Sequence, residues 1–139
     1  MRSTGQCVVF EAIGKAALRP CEISSPQAGE VLVASDYTAI SAGTERANLM
    51  ALPNTGTGHG GYNWKSSGGF PFHPGYCGVG RIAACGEGVE SLSVGDRVVG
   101  NWGGHRSHFV RKASDLTRID DDAIDSLDAS FARIAVFSL

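Results

Sequence analysis

The chain has 139 residues and a mass of 14.5 kDa, and 42% of its residues are hydrophobic, which is enough apolar material for about one domain. A net charge of -2 without a basic cluster argues against nucleic-acid binding. The longest apolar runs fall far short of the roughly 20 residues that span a bilayer. The sequence holds 19 glycines, about twice the usual share, and these predict many tight turns between short strands.

The cysteines and the amino terminus indicate a cellular compartment. Cys7, Cys21, Cys77 and Cys85 are widely spaced and form no CxxC pair, which is typical of free thiols in a reducing environment. The first residues carry no apolar secretory run. We therefore expect a cytoplasmic protein with no membrane partner.

The first third of the chain predicts three strands. Residues 7–13 and 15–23 form two β-like runs that meet at Gly14, and the longest strand is expected over residues 30–40. Apolar side chains at every second position place one face of the third strand toward a core. The residues expected on this face are Val31, Val33, Tyr37 and Ala39.

A short helix and a long loop are expected next. Thr44 is a suitable capping residue, so the helix is predicted to begin there and run through Leu52 until Pro53 stops it. Residues 53–71 form a loop with six glycines and several aromatic residues. A loop of this length inside a compact domain is more often functional than not.

The remaining β-like runs alternate with turns, which suggests a barrel or a sandwich. They cover residues 78–85, 96–101, 108–112 and 116–119. After them, a helix capped by Asp125 or Ser126 is expected, with an apolar stripe that includes Leu127 and Phe131. This helix lacks a stop signal, so we expect the chain to end in mid-helix, next to a neighbour that is not part of it.

Local motifs alone predict no reaction. Residues 78–83 match GxGxxA, but this dinucleotide fingerprint requires a strand before it and a helix after it, and here β-like sequence follows. The glycines are more simply explained by a tight strand bend. His105 and His108 lie three residues apart in a strand-like run and therefore point to opposite faces, so no metal site is expected from local spacing.

Three segments of the chain closely resemble a known family. Residues 74–80 (PGYCGVG), 86–89 (GEGV) and 94–98 (VGDRV) are similar to the GroES-like catalytic domain of medium-chain dehydrogenases/reductases, the superfamily of alcohol dehydrogenases and quinone reductases. The segment SAGTE at residues 41–45 and His108–Val110 extend the match to nearly the whole chain. SAGTE resembles the branch called zinc-binding dehydrogenases, which includes bacteriochlorophyllide dehydrogenase-like members.

The resemblance implies a mainly β fold, a GroES-like partly open β-barrel with short helices. It assigns residues 1–125 to the catalytic, substrate-binding domain. Residues 126–139 would begin the linker helix toward a Rossmann domain that is not part of this chain. The active site would lie in the cleft between the two domains.

The zinc ligands of the family are missing from this sequence. Zinc-dependent members have a cysteine where Ala42 stands, and a histidine and a glutamate where Tyr76 and Cys77 stand. Alanine cannot ligate a metal, and tyrosine rarely does. The four-cysteine structural zinc lobe is absent as well. We therefore expect no zinc, and the resemblance to quinone reductases is also imperfect because they tend to carry asparagine at the Ala42 position.

The resemblance assigns roles to three residues near the SAGTE segment. Thr44 falls where the family keeps the hydroxyl that donates to the substrate oxygen and contacts the cofactor, although it could instead cap the helix. Gly43 lies where the backbone approaches nicotinamide. Glu45 is the acidic position beside the site and is expected to be structural.

Four aromatic residues complete the expected site. Tyr76, at the vacated metal position, either donates its phenol to a developing alkoxide or fills the space with its ring. Trp102 takes the place of a pocket-lining aromatic, the alternative being core packing. Tyr62 and Trp64 are expected to shape the substrate pocket.

The resulting hypothesis is a zinc-independent, alcohol dehydrogenase-like oxidoreductase that transfers hydride between NADP(H) or NAD(H) and a small carbonyl, alcohol or activated alkene. The absent domain would bind most of the cofactor, so this chain alone would be inactive. The resemblance implies a homodimer for the full-length form.

Two alternatives of other classes stay open. One is a stand-alone GroES-like binding module without enzymatic activity. The other is a metal-binding domain that uses His73, Cys77, His105 and His108.

Overall fold

The computed structural model describes residues 3–52, 69–101 and 103–136. This part of the chain is mainly β, which confirms the predicted fold class. Its strands are β1 (Ser3–Ala12), β2 (Lys15–Ile23), β3 (Glu30–Thr38), β4 (Cys77–Cys85), β5 (Arg97–Asn101), β6 (His108–Lys112) and β7 (Leu116–Arg118). Its helices are α1 (Ala42–Leu49), α2 (Ser126–Ala129) and α3 (Ala132–Val136), with a 3-10 turn at Ala113–Asp115.

The strands form two antiparallel sheets. Strands β1 and β2 make a hairpin that turns at Gly14, whose φ of 70° suits glycine. The other five strands follow the order β6-β3-β4-β5-β7, and the two outer strands of this order are not neighbours. Single bridges from Cys7 to Arg106 and from Phe10 to Phe72 attach the hairpin to the rest. The result is a partly open barrel.

The core lies on one face of the five-stranded sheet. Val31 and Val33 of β3 are fully buried, as the period-two pattern predicts, and they cluster with Ile82, Leu92, Val98 and Phe109. The same prediction is wrong for Tyr37, whose side chain is 47% exposed. The register of β3 against β4 shifts between Ser35 and Tyr37, and this bulge changes the face on which later residues lie.

The GxGxxA segment lies within β4, and its second glycine allows close strand contact. A Cβ on Gly80 would lie 2.1 Å from the carbonyl oxygen of Ala34 on β3. No side chain fits at that distance. The segment is therefore part of a sheet and lacks the strand-to-helix turn of a dinucleotide site.

The helices differ in detail from the sequence prediction. Thr44 lies inside the first turn of α1, where Ser41 is the N-cap residue, so its predicted capping role is wrong. The helix ends at Leu49, not Leu52. Asp125 caps α2 as expected, since its carboxylate accepts a hydrogen bond of 2.6 Å from the amide of Leu127.

Residues 126–136 form two helices, whereas the sequence predicts one. The Ser130 hydroxyl donates to the Leu127 carbonyl at 2.6 Å. It therefore occupies a carbonyl that a continuous helix would use for its backbone hydrogen bonds. Several apolar side chains of this region are about half exposed, namely Ile124, Leu127, Phe131 and Val136. No helix in the described ranges is long and apolar enough to cross a membrane.

Candidate active site

Four segments meet at the amino-terminal end of α1. They are the first turn of the helix itself at residues 41–45, the end of β3, residues 74–77 and the turn at residues 103–106. The amide of His105 donates to the Pro74 carbonyl at 2.8 Å, and the amide of Ala39 donates to the Cys77 carbonyl at 3.1 Å. These backbone bonds join three of the segments, and the Glu45 side chain connects residues 41–45 to the turn at residues 103–106.

Gly75 allows the closest of these approaches. Its φ is 104°, and a Cβ there would lie 2.5 Å from the amide nitrogen of His105. Both the conformation and the contact require glycine. The turn at residues 103–106 therefore packs directly against the residue that precedes Tyr76.

A buried pair of side chains lies under the first turn of α1. Glu45 is 6% exposed and His105 is 8% exposed, and the glutamate Oε2 lies 2.8 Å from the histidine Nε2. The other ring nitrogen, Nδ1, lies 2.8 Å from the Thr38 hydroxyl. A proton on Nε2 would be donated to the carboxylate, and the Thr38 hydroxyl can either donate to Nδ1 or accept from it. Every polar atom of the imidazole thus has a partner.

The Glu45 carboxylate also organises the residues above it. Its Oε1 accepts a hydrogen bond of 3.2 Å from the amide of Ser41. The Ser41 hydroxyl in turn donates to Thr44 Oγ1 at 3.3 Å. Because Thr44 is exposed and accepts this bond, its own hydroxyl proton is available to an acceptor outside the protein.

The backbone beside Thr44 is open to a ligand. Among the described residues, no atom lies within 4 Å of a Cβ built on Gly43, so a flat ring can approach the chain closely here. The Ala42 side chain has no donor atom. The amino-terminal turn of α1 therefore offers an exposed hydroxyl and an open backbone, while its one carboxylate, Glu45, is hydrogen-bonded to His105 and Ser41.

Cys77 is a poor metal ligand in this fold. Its buried thiol donates to the Ser130 carbonyl at 2.6 Å. Burial raises the pKa of the Cys77 thiol, although amides of Arg133 and Ile134 oppose this effect, and a metal binds the thiolate rather than the thiol. Within residues 3–52, 69–101 and 103–136, no three His, Cys, Asp or Glu side chains are grouped to hold a metal ion.

The structure brings together some of the predicted residues. Gly43, Thr44 and Glu45 share one turn, and Tyr76, partly buried, follows the glycine that contacts His105. Trp102, Tyr62 and Trp64 lie outside the described residues.

Sequence reasoning missed the partner of Glu45 and the role of Thr38. The histidine follows the glutamate by 60 positions, and no local pattern links two residues so far apart. Only the resemblance in SAGTE gave a signal, and it pointed to Glu45 without its partner.

Comparisons with known proteins agree with this architecture. Residues 27–121 match the family model of the alcohol dehydrogenase GroES-like domain. An alcohol dehydrogenase from Moraxella sp. (strain TAE123) is 31% identical over 116 residues, which cover 81% of this chain and 31% of that protein. The chain thus spans about a third of the length of this curated relative.

Solved structures share the fold at low identity. CurF ER cyclopropanase from the curacin A biosynthetic pathway superposes with a TM-score of 0.77 at 21% identity, covering 97% of this chain and 41% of that chain. The quinone oxidoreductase from Coxiella burnetii gives a TM-score of 0.74 at 14% identity, covering 92% of this chain and 40% of that chain. The chain belongs to the family of alcohol dehydrogenase GroES-like domains, within the medium-chain dehydrogenases/reductases.

Proposed function

We propose that the native protein, meaning the whole polypeptide that carries this chain, is a zinc-independent oxidoreductase. It transfers hydride between NADP(H) and a small carbonyl, alcohol or activated alkene. Residues 1–125 form its substrate-binding domain, residues 126–139 begin the linker to a nucleotide-binding domain, and the native protein is a homodimer. The observation that carries the proposal is the exposed Thr44 hydroxyl, which Ser41 holds next to the buried hydrogen bond between Glu45 and His105.

Thr44 binds the oxygen of the substrate. Its proton is directed away from Ser41, because Ser41 donates to Thr44. A hydrogen bond from this hydroxyl stabilises negative charge that develops on a substrate oxygen during reduction. The same hydroxyl passes its proton to that oxygen and regains one from solvent water, to which Thr44 is exposed, and this completes an alcohol.

Gly43 supports the cofactor assignment. When bound, NADP(H) supplies or accepts the hydride. The open backbone at Gly43 lets a nicotinamide ring lie against the chain beside Thr44. The residues described here orient the substrate oxygen.

The donor set supports zinc independence. Ala42 has no ligand atom, and the Cys77 thiol is bonded to Ser130. Both ring nitrogens of His105 are also engaged, by Glu45 and Thr38. Charge on the substrate oxygen is therefore stabilised by hydrogen-bond donors such as Thr44.

The test compares Thr44→Val with a matched surface variant. NADPH oxidation by the native protein is measured with a quinone, an aldehyde and an enone as acceptors. Thr44→Val removes the donor and keeps the shape, so kcat is expected to fall by about 100-fold or more. Thr117→Val, on exposed strand β7, serves as the control and keeps full activity.

Two results would contradict the proposal. One is an unchanged kcat in Thr44→Val, which would remove the role of the hydroxyl. The other is a native polypeptide of 14.5 kDa without NADPH binding, which would indicate a non-enzymatic binding module.

A further inference from the structure

A cavity of about 420 Å³ lies between the end of β2 and the outer face of β6. It does not include Thr44, Glu45 or Tyr76. Several residues of the segment 103–111 line the cavity, among them Arg106, His108 and Arg111. The side chain of His105 instead contacts Glu45. The cavity and the candidate active site therefore share this segment, and the buried pair of Glu45 and His105 lies outside the cavity lining.

The charge of the cavity is opposite to that of the whole chain. Two arginines and two histidines line it, namely Arg106, Arg111, His73 and His108, against a single acidic residue, Glu22. The chain as a whole has a net charge of -2. Positive charge is thus concentrated in one concave place, where low-dielectric walls strengthen its field.

Arg106 has no anionic partner among the described residues. Its Nε is buried without a hydrogen-bond acceptor, and no carboxylate of the described ranges forms an ion pair with it. Arg106 as a whole is partly exposed, but a buried N–H without an acceptor costs folding free energy. An anion in the adjoining cavity would supply the missing charge.

The charge of Arg106 also affects its neighbours. Arg111 is a second cation, and the carbonyls of Asn101 and Val110 accept its hydrogen bonds at 3.2 and 3.0 Å. Burial, and then the charge of Arg106, lower the pKa of both Arg111 and His73, while Asp115 and Glu30 raise the pKa of Arg111. The charge of Arg106 therefore acts on both groups, and an anion bound beside Arg106 would oppose that effect.

The remaining walls indicate an organic ligand. Ile23, Leu32 and Val110 are apolar and only partly buried, and they line the same space. The volume lies in the range of small-molecule sites. A guanidinium pairs best with the planar oxygens of a carboxylate or with phosphate.

We propose that this cavity binds a small organic anion, whose carboxylate or phosphate group pairs with Arg106 and whose apolar body lies against Ile23 and Leu32. This proposal does not depend on hydride transfer, because it concerns a cavity whose lining does not include Thr44. The cavity would recognise a ligand that carries one oxyanion and one compact apolar group.

The test uses benzoate, inorganic phosphate and benzyl alcohol as probes of the native protein. At constant ionic strength, isothermal titration calorimetry is expected to show saturable binding of benzoate, weaker binding of phosphate and none of benzyl alcohol. Arg106→Gln is expected to weaken benzoate binding at least about tenfold. Arg81→Gln, a change to an exposed arginine outside the cavity, is the control and keeps the affinity.

A second measurement needs no variant. Because the Arg106 charge lowers the pKa of His73, a benzoate bound between them is expected to raise that pKa in an NMR titration of the wild-type protein. The proposal is overturned if benzoate fails to bind, if it leaves the His73 titration unchanged, or if Arg106→Gln and Arg81→Gln bind it equally. Binding of phosphate alone would also overturn it, in favour of an inorganic ion site.

Discussion

The Glu45 carboxylate and the His105 imidazole form a hydrogen bond of 2.8 Å, although 60 residues separate them in the sequence. Both side chains are more than nine-tenths buried. The bond fixes α1 to the turn at residues 103–106, and through Ser41 it also positions Thr44. A single buried contact thus supports the residue on which the proposed chemistry depends.

Removing either member of this pair should destabilise the fold. Glu45→Ala and His105→Ala each leave a buried polar partner without its hydrogen bond, at a cost of about 1–3 kcal/mol. The double variant should lose less than the sum of the two, with a coupling of about 0.5–3 kcal/mol. Urea unfolding of the four proteins measures this. Strictly additive losses would show that the pair contributes nothing beyond packing.

Tyr76→Phe separates two roles for this residue. If the phenol donates to a developing alkoxide, removing only the hydroxyl should lower kcat by about 100-fold, as loss of an oxyanion donor does. If the ring merely fills space, Tyr76→Phe should be fully active and only Tyr76→Ala should be impaired. We expect the second result, because the vacated metal position leaves room for a ring. Steady-state kinetics and a thermal melt of each variant decide the matter.

Gly80→Ala and Gly43→Ala should have opposite effects on stability. The new Cβ at Gly80 meets the Ala34 carbonyl at 2.1 Å, so the variant should unfold or lose several kcal/mol. At Gly43 the space is open, and alanine should stabilise α1 by about 0.5–1 kcal/mol. Thermal melts compare the two.

Gly43→Ala also tests the cofactor position. A methyl group at this point should raise the KM for NADPH while the protein melts at a higher temperature. An unchanged KM would place nicotinamide elsewhere.

The four thiols should react at two different rates. Burial raises the pKa of Cys7 and of Cys77, and a hydrogen bond with Cys21 raises that of Cys7 further. Cys7 and Cys77 are buried, whereas Cys21 and Cys85 are partly exposed, so iodoacetamide should modify the buried pair at least about tenfold more slowly. Peptide mass spectrometry after timed labelling measures each site. Equal rates in the folded protein would contradict the burial of Cys77.

The same shift predicts a loss of stability in alkali. A raised thiol pKa means that the folded state favours the protonated form of Cys77. As the pH rises, the Cys77 thiol loses its proton in the unfolded chain before it does so in the folded protein. The free energy of unfolding is therefore unaffected by this thiol at neutral pH and decreases above the ordinary thiol pKa. Cys77→Ala should lose less stability than the wild type between neutral and alkaline pH.

Much of the fold was predictable because it depends on local patterns. Alternation located β3, and His108–Lys112 is a strand over the predicted residues. Turn glycines such as Gly14 marked the hairpin. The errors arose where tertiary contacts override a local pattern. The bulge after Ser35 turned Tyr37 outward, and the bonds of Ser130 divided the last helix.

Less of the site was predictable. The resemblance in SAGTE located Gly43, Thr44 and Glu45, but the residues that support them come from distant segments. No spacing rule links Glu45 to His105, or Arg106 to Arg111 across a cavity wall. Such contacts depend on strand order, which the sequence pattern leaves open.

The bond from Cys77 to Ser130 joins the last helices to the strand that begins one residue after Tyr76. A pull or rotation of α2 and α3 would therefore reach the start of β4 partly through this thiol-to-carbonyl contact, beside the packing of α2 and α3 on β4. In a protein whose parts move relative to each other during turnover, this contact would act as a mechanical linkage between domain motion and the geometry around the substrate oxygen.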